Sequence, residues 1–331
     1  MLSKIIFIIA FIFCCTGCKG QGKDVYAQAD PIKIYRFDKA LYRLITSGND
    51  VGIQGELLCD YPEMMEVTGK GLLNMPTTET PGFFDRLAKF YSEPTLRKLY
   101  REAIEQYDSI ADIEQTLGQA FAYLKTNLPA MPVPRIYMHV SGLSQNVWAA
   151  HHLLSLSIDK YMGTDYPLYQ NFFYDFQREK MQRARVVPDY LTGWLLSEYP
   201  FAGKENVLLE RMVYEGKIKY LVQQALPDIP PHVLMGFTEK AYNWCKMNEA
   251  EIWKTLVERK HLYTPDLITT NKYIEDTPAA FLSDEAPGNV GVWMGLQIVR
   301  RYMEETGATP ERLIQETNAQ DILRQSKYKP F

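Results

Sequence analysis

Histidine and cysteine are scarce in this chain of 331 residues, with five of each. His139, His151, His152, His232 and His261 never fall in H-x-x-x-H or H-E-x-x-H spacing, which would set two imidazoles on one helical face. No G-x-S-x-G elbow, phosphate loop or G-x-G-x-x-G turn stands in the expected domain. Five cysteines are too few for a disulfide-built scaffold of this length. A basic excess is also missing: 36 Lys and Arg face 40 Asp and Glu, for a net charge of −4. That balance excludes a dedicated nucleic-acid binder. There is no collagen-like glycine period and no low-complexity tract.

Core material is ample. Apolar residues make up 46% and charged residues 23%, and the 22 Tyr, 15 Phe and 5 Trp are more aromatics than a disordered chain carries. At the N-terminus, Lys4 is the only charge before residue 18, and residues 5–15 (IIFIIAFIFCC) are an unbroken apolar run of eleven. Such a run fits the h-region of a secretory signal and falls short of the ~20 residues that span a bilayer. Thr16, Gly17 and Cys18 follow. This segment resembles the lipobox of bacterial lipoproteins, with Cys15 where leucine is usual. The resemblance implies a signal peptide over 1–17, lipid attachment at Cys18, an acylated tether over 18–30 and a domain over 31–331. The expected location is the bacterial cell envelope, lipid-anchored to a membrane. The acidic cluster that marks surface export in some bacteria is reduced to Asp24 beside Lys19 and Lys23, so a periplasm-facing position is expected. Cys59 and Cys245 then remain, read either as two buried thiols or as one disulfide.

Helical patterns dominate the rest. Strands are predicted over 31–37 and 135–140, and the apolar stretch 149–161 reads as a strand or a buried helix. Asp38 is expected to cap a helix running to Ile45. Helices are further predicted within 82–127, over 189–197, 208–226, 235–245, 249–260 and 290–305. Asn248 with Glu251 forms a capping-box pattern, and Ile252, Trp253, Leu256 and Val257 form the buried stripe behind it. Gly291 and Gly295, four apart, predict a close helix crossing or a ligand approach. Arg178, Lys180, Arg183 and Arg185 form a basic cluster, either a solvated helix face or a site for an acidic partner or lipid headgroup. The fold class expected is mainly α (α+β): one helix-rich domain with a small sheet.

An ordered set of motifs occupies the second half: YMGTDYPLY at 161–169, VPD at 187–189, MVYEGKIKY at 212–220, LYTPD at 262–266 and APGNVGVWMG at 286–295. In this order they resemble the gliding motility-associated lipoprotein GldB family of Bacteroidota. That family looks like a distant relative of zincin peptidases. The helix matching the zincin H-E-x-x-H helix is Val187 to Glu198, which has no histidine, and the later zincin glutamate is matched by Glu215 before Gly216. One carboxylate does not hold Zn²⁺, which takes three protein ligands and a water. The resemblance therefore implies a degenerate zincin-like scaffold with no catalytic residue, no metal and no cofactor. His151, His152 and Glu215 are the one set of ligand types that folding would have to bring together. It implies a non-enzymatic role in gliding or associated secretion, with envelope proteins as partners and a groove near Glu215, Lys217 and Tyr220. The alternative is a metal-independent envelope hydrolase acting on peptides or glycans.

Overall fold

The computed structural model describes Tyr26 and residues 28–330. The expected signal peptide, Cys18 and nearly all of the tether lie outside the described residues. The first half holds β1 (Ile34–Tyr35), α1 (Phe37–Thr46), α2 (Val51–Asp60), α3 (Pro62–Thr68), α4 (Phe83–Phe90), α5 (Pro94–Gln106) and α6 (Ala111–Asn127). Three strands follow, β2 (Arg135–His139), β3 (Val147–Ala150) and β4 (Leu153–Ser157). The second half holds α7 (Asp175–Arg178), α8 (Val186–Glu198), α9 (Leu208–Ala225), α10 (Pro231–Met235), α11 (Glu239–Met247) and α12 (Glu249–Glu258). It closes with α13 (Leu267–Ile274), α14 (Val290–Thr306), α15 (Pro310–Gln315) and α16 (Ala319–Ser326). The chain is one helix-rich α+β domain, as its helical periodicity predicts.

The sheet has the order β1-β2-β4-β3. β1–β2 and β2–β4 are parallel, and β4–β3 is antiparallel. β4 is buried at every position, and the stretch 149–161 joins the end of β3, an exposed turn and β4. His151 and His152 are the exposed turn between β3 and β4. His139 lies in the core, stacked on Trp148 at 3.7 Å with Nδ1 2.7 Å from Ser155 Oγ. β3 is an edge. Asn146 pairs with Ser157, whose N–H donates to the Asn146 carbonyl at 2.8 Å, and Trp148 and Ala150 share that parity. By the alternation of an antiparallel ladder, the backbone groups of Val147 and Ala149 therefore point away from β4.

Several local expectations are corrected. Asp38 does not cap α1 but lies in its first turn, buried and clasped by Arg36 at 2.9 and 2.6 Å. A buried carboxylate needs such a partner, and burial raises its pKa even so, against the pull of Arg36. The helix predicted over 235–245 is two helices, broken at Gly236 with φ +68° and restarted at Thr238, whose side chain accepts from the Ala241 N–H. Asn248 precedes α12 but makes no side-chain cap; its Nδ2 donates instead to the Trp244 carbonyl at 2.8 Å. Ile252 and Leu256 are buried, Trp253 is half-buried and edge-to-face with Tyr328, and Val257 is 49% exposed. Cys59 is exposed and Cys245 buried, and both are free thiols.

The two longest helices of the second half, α9 and α14, cross at Gly216 and Gly295. A Cβ on Gly295 would lie 1.8 Å from the Met212 carbonyl oxygen, and one on Gly216 would lie 2.3 Å from the Gly295 carbonyl carbon. Backbone meets backbone there, so the close crossing read from the 291/295 spacing is present at Gly295. Around it Met212, Leu296, Ile298 and Trp293 are buried.

Gly295→Ala is therefore expected to destabilise the fold by about 3 kcal/mol or more, because neither backbone can yield without moving its helix. Gly55→Ala, inside α2 with open space at its Cβ position, is expected to be neutral or to stabilise by up to about 1 kcal/mol. Urea unfolding of the two variants checks this, and equal midpoints would contradict the crossing.

Candidate functional site: a charged cleft between α8 and α9

Helical periodicity builds this site. On α9, residues four apart share a face, so Arg211, Glu215 and Lys219 form one stripe, and all three line a cleft of about 820 Å³. The facing helix α8 presents Asp189, Thr192, Gly193 and Leu196 to the same space. Asn146 and Val147, at the start of the edge strand β3, form part of the wall. Lys180, Glu275 and Asp276 stand around it on loops. The helix expected to carry a degenerate site and Glu215 thus do face each other across one cavity.

Most charges in the cleft are tied down. Arg185 pairs with Asp189 and also donates to the Val233 and Leu234 carbonyls at 2.5 and 2.8 Å. The Tyr161 hydroxyl donates to the other Asp189 oxygen at 2.9 Å. Arg211 holds Glu215 at 3.0 Å. Burial raises the pKa of the Glu215 carboxyl, while Arg211 and Lys219 oppose it. Lys180 pairs with Asp276 and donates to Asn289 Oδ1 at 2.8 Å. The basic cluster expected as a solvated face or a patch is neither. Each of its four cations has its own carboxylate, with Arg178 on Asp175 and Arg183 on Asp112 completing the set.

Lys219 differs from these. Among the described residues its ammonium makes no hydrogen bond and no ion pair. Burial, with help from Arg185 and Lys180, pushes its ammonium down to about 8, against the pull of Asp189 and Glu215. It sits deep in protein but is not sealed from water, which reaches it through the mouth of the cleft.

Of the three expected groove residues, only Glu215 lines this cleft. Lys217 is two positions on, about 200° around the helix, and donates to the Glu316 carbonyl at 2.9 Å. Tyr220 lies near Tyr123, Arg300 and Glu304. Spacing of two and five residues separates them; spacing of four would have selected Arg211 and Lys219. His151, His152 and Glu215 are likewise not assembled: among the described residues no three His, Cys, Asp or Glu side chains form a metal-holding group. A second groove of about 1050 Å³ runs past Tyr26, Tyr123, Val187 and Leu226. It is larger, but the inward-facing charges converge in the α8–α9 cleft.

Fold and cleft together define a helix-rich α+β protein whose charged cavity lies between two long helices, beside an open sheet edge. The chain belongs to the family described as gliding motility protein GldB, whose family model matches residues 19–330. No curated protein and no solved structure matches it. Among the described residues no helix is long and apolar enough to cross a membrane.

Lys217 gives the region a pH signature. Burial pushes its ammonium down to about 8 from an ordinary 10.5, with Glu316 opposing. The folded chain thus binds this proton less tightly than the unfolded chain does. The charged lysine opposes folding below pH 8, by up to about 3 kcal/mol, and that penalty is released as the pH rises from about 8 toward 10.5. Lys217→Met is expected to shrink the stability gained between pH 7.5 and 9.5 by about 1–2 kcal/mol. Urea unfolding at both pH values measures this, and an unchanged gain would show that Lys217 titrates normally.

Proposed function

We propose that the protein is a non-enzymatic, lipid-anchored envelope component of the gliding or associated secretion machinery, and that its α8–α9 cleft holds an extended segment of a partner protein. The observation that carries this reading is the edge strand β3, whose first residue Val147 walls the cleft while its outward backbone groups stay unpaired by β4. An extended peptide laid along such an edge gains main-chain hydrogen bonds, and the adjoining cavity reads its side chains. Family membership supports the gliding association. The Cys18 lipobox supports the anchor, because two acyl chains hold a protein stably on a bilayer. Glu215 and Asp189, each paired to an arginine, favour a fixed binding surface over a proton-shuttling acid.

Ala149→Pro tests the binding. Ala149 is exposed and its N–H points off the sheet, so proline removes one outward donor and leaves the β3–β4 ladder intact. The variant is expected to keep its melting temperature and to lose the envelope partner recovered by crosslinking from membranes. Full partner recovery would exclude strand addition at β3. Cys18→Ala is expected to move the protein from membrane to soluble fractions; a variant that still sediments with membranes through a high-salt wash would refute the lipid anchor.

A further inference from the structure

The cleft holds four cations, and three of them are committed: Arg185 to Asp189, Arg211 to Glu215 and Lys180 to Asp276. Lys219 is the fourth. The two carboxylates that act on it, Asp189 and Glu215, are already held by guanidinium groups and pull on Lys219 without a hydrogen bond or ion pair to it. Glu275 is at the exposed rim and Asp276 is taken by Lys180. Among the described residues the cleft therefore contains one ammonium without an ion-pair partner. A desolvated, unpaired lysine is unfavourable and is stabilised by an incoming anion. A second donor belongs to the same cleft: Thr192 on α8 is one of its lining residues, and the Thr192 hydroxyl is buried and, among the described residues, without a hydrogen-bond partner. An unpaired ammonium and an unpaired hydroxyl on residues lining one cavity match a carboxylate, which accepts from both.

We propose that Lys219 is the contact for a carboxylate on the bound segment, so that the cleft selects acidic peptide, with Thr192 as its neutral second donor. The inference rests on the peptide reading above and adds the chemical class of the ligand. The carboxylate belongs to an Asp or Glu side chain or to a chain terminus; both present the same group to Lys219.

The test uses the full-length protein in detergent micelles and isothermal titration calorimetry. Three strand-forming pentapeptides serve as probes. The first is Thr-Val-Glu-Val-Thr, acetylated and amidated. The second replaces Glu by Gln, and the third is the Gln peptide with a free C-terminal carboxylate. At least one carboxylate peptide is expected to bind at least tenfold more tightly than the neutral peptide, and which one it is identifies the source. Lys219→Met is expected to erase that preference while melting no lower than the wild type, because it removes a desolvated charge, and Lys219→Arg to keep the preference. A merely structural lysine would not produce the expected pH profile. The facing charges are Lys180 and Arg185 before α8, Asp189 on α8, Arg211 and Glu215 on α9, and Glu275 and Asp276 after α13. Among them Lys219 is the unpaired group that titrates near 8. Affinity for the carboxylate peptide is therefore expected to fall about tenfold between pH 7 and 9.5 while the neutral peptide is unaffected. Equal binding of all three peptides would overturn the carboxylate proposal and leave the peptide reading standing, as would a preference that survives Lys219→Met. Binding of none would overturn both.

Discussion

The contact of α9 with α14 at Gly216 and Gly295 sets the geometry of the whole second half. With no side chain between the backbones, α9 is fixed in both height and rotation. Rotation is what matters for the cleft. With that face of α9 pressed on α14, the 211–215–219 stripe is turned to α8, and Lys217 is turned to the carbonyl of Glu316. A helix standing off by even one methyl group would shift every charge on that stripe relative to Asp189 and Thr192. Glycine in a helix costs roughly 1 kcal/mol relative to alanine, and close packing of two long buried helices offsets that cost.

The cleft built on this crossing is electrostatically stiff. Each ion pair is partly shielded and reinforced by further donors or acceptors: Tyr161 on Asp189, the α10 carbonyls on Arg185, Asn289 on Lys180, and Glu205 on Arg211. Buried pairs of this kind contribute little net stability, but removing one partner is costly. They fix positions. Against that frame Lys219 is the open charge, an ammonium with no ion-pair partner among the described residues. A surface of fixed pairs with one open cation suits recognition.

The sequence revealed the helices by period, and the ordered motifs after residue 150 carried the family. Helix α9 was legible end to end because its apolar positions and Pro227 bound it. The crossing was visible in Gly295, one turn after Gly291. The site was less so. Glu215 was found, but its companions were sought along the motif rather than around the helix, which brought in Lys217 and Tyr220 and passed over Arg211 and Lys219. The basic residues 178–185 looked like one patch because sequence shows their proximity and hides Asp112, Asp189 and Asp276, which folding brings to them. Strand β4 was ambiguous because 149–161 runs the end of β3, an exposed turn and β4 together as one apolar-looking stretch. Asp38 read as a cap because aspartate before an apolar run usually is one; its capture by Arg36, two residues earlier, starts the helix differently.

The most direct measurement is site-specific photo-crosslinking in cells that carry the protein, with the reactive group at Asn146 on the cleft wall and, separately, at Tyr123 beside the second groove. Sequencing of the adducts is expected to return, from position 146, one contiguous extended segment of an envelope protein that carries a carboxylate, and to return no such adduct from position 123. Adducts confined to position 123, with position 146 silent, would contradict the cleft as the binding site.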